Sequence, residues 1–168
     1  MSRVLPALLF VSAFGCNPED PCEAASLYEP TVWVGLGARE YADIDPASEL
    51  PSERGMQGGS HVEVAAQMTG IHPGRRLSNQ PEAQPPTFIA TLTSPDGIEL
   101  GYGSLTGQVP QGDASLSEMT GIRLFLDGAN FFDSTTDVTE PRLATLLLEV
   151  QDACGVQASD EREVYVAW

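Results

Sequence analysis

Lysine is absent from this 168-residue chain, and all eight cations are arginines, set against 24 acids for a formal net charge of −16. Affinity for a phosphate backbone comes from cations that displace its counterions, so nucleic acid is a poor partner class for such a chain. The acidity reads instead as solubility and a surface that tolerates cations. Histidine is nearly missing as well, with only His61 and His72. A strand running from His61 would carry His72 more than about 20 Å away at 3.3 Å per residue, so the two cannot share an ion. With no free thiol expected either, a structural zinc or copper site lacks ligands. No apolar run reaches the roughly 20 residues a membrane-spanning helix needs. Val4 to Phe14 is broken by Pro6 and Ser12, and Leu143 to Val150 by Thr145 and Glu149. No Gly-x-Ser-x-Gly elbow, phosphate loop, dinucleotide fingerprint or aromatic-basic patch occurs. Ser60 beside His61 in a strand would point to the opposite face, which removes the pair as nucleophile and base. These absences argue against an enzyme and leave no residue for a catalytic role.

What is present begins at the N-terminus. Met1-Ser2-Arg3 is a short positive start, the apolar run follows, and Gly15 stands directly before Cys16. This is the layout of a secretory signal, with an uncleaved N-terminal anchor as the competing reading. Ala13-Phe14-Gly15-Cys16 resembles the lipobox of bacterial lipoproteins, although Phe14 is bulkier than usual there and Ala13 stands where a leucine is expected. The resemblance implies a signal peptide over 1–15 that is cut before Cys16, whose sulfur and new amino group then carry lipid. It further implies attachment to a lipid bilayer at the outer membrane or cell envelope, facing the periplasm or the cell surface. With Cys16 lipidated, Cys22 and Cys154 remain as a pair in an oxidising compartment, and a disulfide between them is expected. Closing so long a loop is worth about 4–5 kcal/mol in the chain-entropy model.

Residues 16–30 read as an acidic tether, with Glu19, Asp20, Glu23 and Glu29 and too few apolar residues to join a core. From Thr31 the pattern is that of strands. Val32, Val34 and Leu36 alternate with Trp33, and Tyr41 to Ile44 forms a second short extended piece. The clearest alternation runs from His61 to Thr69, with Val62, Val64, Ala66 and Met68 on one face and His61, Glu63 and Gln67 on the other. Thr87–Thr93 and Ile98–Tyr102 flank Ser94-Pro95-Asp96-Gly97, whose proline and glycine suit a type I turn in a hairpin. Gly103 to Met119 reads as loop with a short strand near Val109. Ile122, Leu124 and Leu126 then alternate with Arg123, Phe125 and Asp127. Arg142 to Gln151 competes between helix and buried strand, and its lead into Val164, Val166 and Trp168 favours a closing hairpin. About seven antiparallel strands joined by Gly- and Pro-rich loops predict an all-β, single-domain immunoglobulin-like sandwich over 31–168. The ending, from Val150 through Asp152-Ala153-Cys154-Gly155 to Ala158-Ser159, also resembles the last hairpin of bacterial extracellular Ig-like domains.

Tyr41, the proline-bearing acidic loop after it, and Gly55-Met56-Gln57-Gly58-Gly59-Ser60-His61 resemble a block in predicted lipoproteins of myxobacteria. There a proline usually stands where this chain has Met56, and an aromatic residue where it has Ser60. The resemblance implies a class and an address, not an activity. Of this stretch, Gln57, Gly58, Gly59 and His61 are the candidate ligand-binding group. Paired glycines let backbone approach a ligand or take positive φ at a tight entry to a strand, and His61 is a metal ligand or base in one reading and a cross-strand-paired histidine in the other. For calcium, Asp43, Asp45 and Glu49 in one loop and Asp127, Asn130, Asp133 and Asp137 in another offer oxygen ligands, without the spacing of a calcium-hand loop. No cofactor is otherwise expected. Trp33, Trp168, Tyr41, Tyr102, Phe131 and Phe132 are candidates for stacking on sugars or a partner, or for packing. The function expected is a non-catalytic binding or structural module of the envelope, with contacts on the loops Asp45–Ser60, Gly103–Met119 and Asp127–Pro141. The partner is an envelope protein or polysaccharide. A metal-binding periplasmic protein using His61 and acids, or a carbohydrate-binding accessory domain, is the alternative.

Overall fold

The computed structural model describes residues 21–55, 59–75, 81–128 and 141–167. The N-terminal residues with Cys16, the residues Gln57 and Gly58, the loop residues Asn130 to Asp137, and Trp168 lie outside them. Among the described residues the fold is strands with two short helical turns, α1 (Pro21–Ala25) and η1 (Pro81–Ala83). Seven strands of six to eleven residues form its body: β1 (Thr31–Leu36), β5 (Ser60–Thr69), β6 (Thr87–Thr93), β7 (Glu99–Leu105), β9 (Leu116–Leu126), β10 (Arg142–Gln151) and β11 (Gln157–Val166). Four more have two or three residues each: β2 (Ala42–Asp43), β3 (Glu49–Leu50), β4 (Glu53–Arg54) and β8 (Gln111–Asp113). The total among the described residues is therefore eleven where about seven were expected; β2 falls within the expected Tyr41–Ile44 piece, whereas β3 and β4, two residues each, carry no readable period. Nor is every pairing antiparallel, since β3 lies parallel to β11.

All eleven strands join one hydrogen-bonded sheet in the order β2-β1-β5-β9-β7-β6-β10-β11-β3, with β4 added to β5 and β8 to β9. The sheet curls until β1 comes up against β11. Its concave side holds the core, and period-two alternation supplies it. Val62, Val64, Ala66 and Met68 of β5 are buried against Phe88, Ala90 and Leu92 of β6, Ile122 and Leu124 of β9, and Leu146, Leu148 and Val150 of β10. At roughly 25 cal/mol per Å² of apolar surface removed from water, these rows are the main favourable term in the fold.

One irregularity positions the outer face. Val64 pairs with Ile122 but Ala66 pairs with Met119, so Thr120 and Gly121 on β9 oppose the single Ala65 on β5. That is a β-bulge, and it shifts parity along β9. Ser117 and Met119 point inward before it, and Ile122, Leu124 and Leu126 after it. Gly121 has φ +71, which glycine takes without steric cost, and its N–H donates to Gly37 O at 3.0 Å.

The closing hairpin is built around Asp152. Its Oδ1 accepts the N–H groups of Cys154 and Val156, each at 2.9 Å, and its Oδ2 accepts that of His72 at 2.9 Å. Gly155, at φ +83, completes the turn, which gives Asp-x-x-Gly a physical reason. Cys154 in this turn is bonded to Cys22 with Cα atoms 5.7 Å apart across 132 residues. The segment read as a tether does more than span a gap. Residues 21–25 form a helical turn whose Ala25 is buried, and Glu29 O accepts the Thr69 hydroxyl at 3.0 Å.

Candidate functional site

Alternation that buries the even residues of β5 and of the second half of β9 must turn the odd ones outward. Register decides which of them meet. His61 stands opposite Phe125, and Glu63 opposite Arg123. On the next strand, Tyr102 of β7 stands opposite Phe125. On the other side of β5, Glu53 of β4 stands opposite His61. The result is a row across four strands, Glu53–His61–Phe125–Tyr102, with Glu63–Arg123 beside it.

The geometry within the row is specific. Arg123 Nε donates to Glu63 Oε1 at 2.9 Å. His61 Nε2 lies 3.4 Å from the same carboxylate oxygen and 4.0 Å from Glu53 Oε2. The His61 and Phe125 rings are 6.0 Å apart between centroids and tilted by 43°. The Glu63 side chain is only 11 % exposed while that of Arg123 is 63 % exposed, so the carboxylate is walled in and the guanidinium reaches into water. Phe125 and Tyr102 are 59 % and 45 % exposed. Beside them lies an open recess of about 500 Å³ lined by Ala38, Glu63, Ser104, Leu105, Gln108, Gly121, Arg123 and Phe125. Gly103, between Tyr102 and Ser104 on β7, could carry no side chain, because a Cβ there would lie 2.1 Å from Arg123 O.

Of the candidate group, Gly59 and His61 fall in the described residues. Gly55 N donates to Gly59 O at 2.7 Å, so Gly59 helps close the turn from β4 into β5. His61 stands cross-strand from Phe125, with Glu63 and Glu53 carboxylate oxygens 3.4 and 4.0 Å from its Nε2. Of the acids considered for calcium, Asp43 caps its own turn by accepting the Ile44 N–H at 3.0 Å, and Glu49 lies in β3. Among the described residues no group of three or more His, Cys, Asp or Glu is placed to hold a metal ion. Burial, and then the neighbouring Asp43 carboxylate, push the Tyr41 phenol above its ordinary range. Trp33 sits half-exposed on the outer face of β1, and Tyr102 joins the row.

The cluster stands on strands, whereas loops were the expected place for contacts. Arg123, Phe125, Glu53, Ser104 and Gln108 were not singled out from the sequence. The alternation Ile122/Leu124/Leu126 already turned Arg123 and Phe125 outward, but only the pairing register sets them against Glu63, His61 and Tyr102. The chain matches no family model, and no curated protein matches it.

Proposed function

We propose that this chain is a lipid-anchored extracytoplasmic protein whose Ig-like β-sandwich is a non-catalytic binding module of the cell envelope. The observation that carries the binding role is the outer face of β5, β9 and β7, where two exposed aromatic rings flank an ordered carboxylate–guanidinium pair on rigid strands. A site on strands is held more closely than one on loops. The Ig-like reading is supported by strand order. If the seven long strands are lettered A to G along the chain, the observed order becomes A-B-E-D-C-F-G. Sheets ABED and CFG are those of the constant-type immunoglobulin fold, here joined through the β6–β7 hairpin. The address is supported by the resemblance of residues 13–16 to a lipobox, and by the Cys22–Cys154 bond, which suits an oxidising compartment.

The decisive experiment is metabolic labelling with radioactive palmitate in a Gram-negative host, followed by membrane fractionation. Label should enter the wild-type chain and follow the membrane fraction, and Cys16→Ala should abolish both. Label retained in that variant would overturn the anchor.

A further inference from the structure

Phe125 and Tyr102 are cross-strand neighbours on central strands, and nothing in the fold requires two large rings to stand there in water. β9 is hydrogen-bonded to β5 and β7, β7 also to β6, and β5 at His61 also to β4. Among the described residues the backbone of β9 beside Phe125 and of β7 beside Tyr102 is therefore already paired, and a peptide cannot add there as a strand. Two rings also fall far short of the roughly 800 Å² per partner that a standard protein interface buries. The recess beside them, about 500 Å³, is instead within the ~300–1,000 Å³ range of small-ligand sites.

Its polar lining narrows the chemistry. Glu63 is an acceptor already oriented by Arg123, Ser104 and Gln108 bring a hydroxyl and an amide, and Arg123 commits only Nε of its five N–H donors to Glu63. A ligand matching this surface has a flat apolar face for the rings and many hydroxyls at its rim. A β-glucopyranose-type ring has both, with axial C–H bonds on its two faces and equatorial hydroxyls around it. Charge selects among pyranoses. Glu63 lines the recess, Glu53 stands in the adjoining row beside His61, and the whole chain carries −16, so uronic and other acidic sugars are repelled.

We infer that this face binds a neutral polysaccharide, with sugar rings on Phe125 and Tyr102 and hydroxyls held by Glu63 and Arg123. The inference rests on the binding-module reading above and names its ligand class.

The test uses the mature lipidated protein in detergent, titrated by calorimetry with cellohexaose and chitohexaose, and with polygalacturonate as the acidic control. The expected result is binding to at least one neutral oligosaccharide, none to polygalacturonate, and about tenfold weaker binding for each of Phe125→Ala and Tyr102→Ala. Glu63→Gln should weaken binding as well, with melting temperatures close to wild type for all three. No heat with either neutral oligosaccharide at millimolar concentration overturns the inference, as does neutral-sugar binding that both ring variants retain. Preference for polygalacturonate, or capture of a protein through this face instead, also overturns it. Palmitate labelling of the same preparation separates the two failures: a labelled protein that ignores neutral sugars loses the ligand class and keeps the anchor.

Discussion

Leu124 and Phe125 are neighbours in sequence on one strand, and the fold treats them oppositely: Leu124 is wholly buried and Phe125 is 59 % exposed. Along β5 the faces alternate less steeply, Val62 and Val64 being wholly buried while the His61 and Glu63 side chains keep 12 % and 11 % of their surface exposed. The inner face is constrained by packing at near-crystalline density, so its residues report on the fold. The outer face is not, and rings and ion pairs found there must be explained by something other than the core. On the outer face of β6, β10 and β11 the alternating residues are different in kind, including Thr87, Thr91, Thr145, Glu149 and Glu161 with Ile89 and Leu147. Tyr165 and Leu143, opposite each other on β11 and β10, are exposed there too, so what sets β5, β9 and β7 apart among the described residues is two adjacent rings beside an ion pair, not exposed aromatics as such.

The sharpest way to break this contrast is to truncate both neighbours. Leu124→Ala leaves a cavity in the core and should cost about 2–5 kcal/mol, whereas Phe125→Ala should stay within about 0.5 kcal/mol of wild type. Urea denaturation of the two variants measures the difference. Equal losses would mean that the Phe125 ring is part of the packing, and the outer face would lose its claim to be a site.

A smaller effect is expected where the contrast fails. Asp160 and Arg162 lie at the inward parity of β11, opposite Leu148 and Leu146, where apolar residues would be expected. The reason is the seam at which β1 meets β11. No ladder closes it, and Asp160 Oδ2 accepts the Val34 N–H at 2.9 Å while Oδ1 accepts Arg162 Nη1 at 2.7 Å. Inward charges at a sheet edge also block pairing with another chain. Asp160→Ala leaves the buried Val34 N–H unsatisfied and should cost about 1–3 kcal/mol. Faster amide exchange at Val34, with exchange at the centre of β5 little changed, would locate the loss at the seam.

These two features also show what was legible in the sequence. Val62 to Met68 and Thr87 to Thr93 declare their faces because period-two alternation is unbroken there, and the closing hairpin follows from the apolar run and the Asp152 turn. Leu116 to Met119 reads as loop because the bulge at Thr120–Gly121 reverses parity in mid-strand, and Ser117 is a polar residue on the buried side. Asp160 and Arg162 hide the first half of β11 for a similar reason. The curl into one sheet depends on pairings between distant strands, such as β5 with β9, that no local pattern specifies. The site is legible one residue at a time, His61 and Tyr102 as candidates and Arg123 as an outward position. Their grouping is a product of register.

The Glu63–Arg123 pair gives the smallest expected effect and the finest distinction. The two are directly opposed on β5 and β9, and their contact is 2.9 Å. A pair that served the fold would couple strongly. Arg123, however, is mostly in water, and exposed pairs of this kind couple by about 0.2–1 kcal/mol. A double-mutant cycle with Glu63→Gln and Arg123→Gln, measured by denaturation at low and high salt, should return a coupling in that range that shrinks as salt rises. A coupling above about 2 kcal/mol that salt does not touch would make the pair a structural clasp. A weak one leaves an oriented carboxylate and a guanidinium that the fold hardly uses, which is the condition for both to be spent on a ligand.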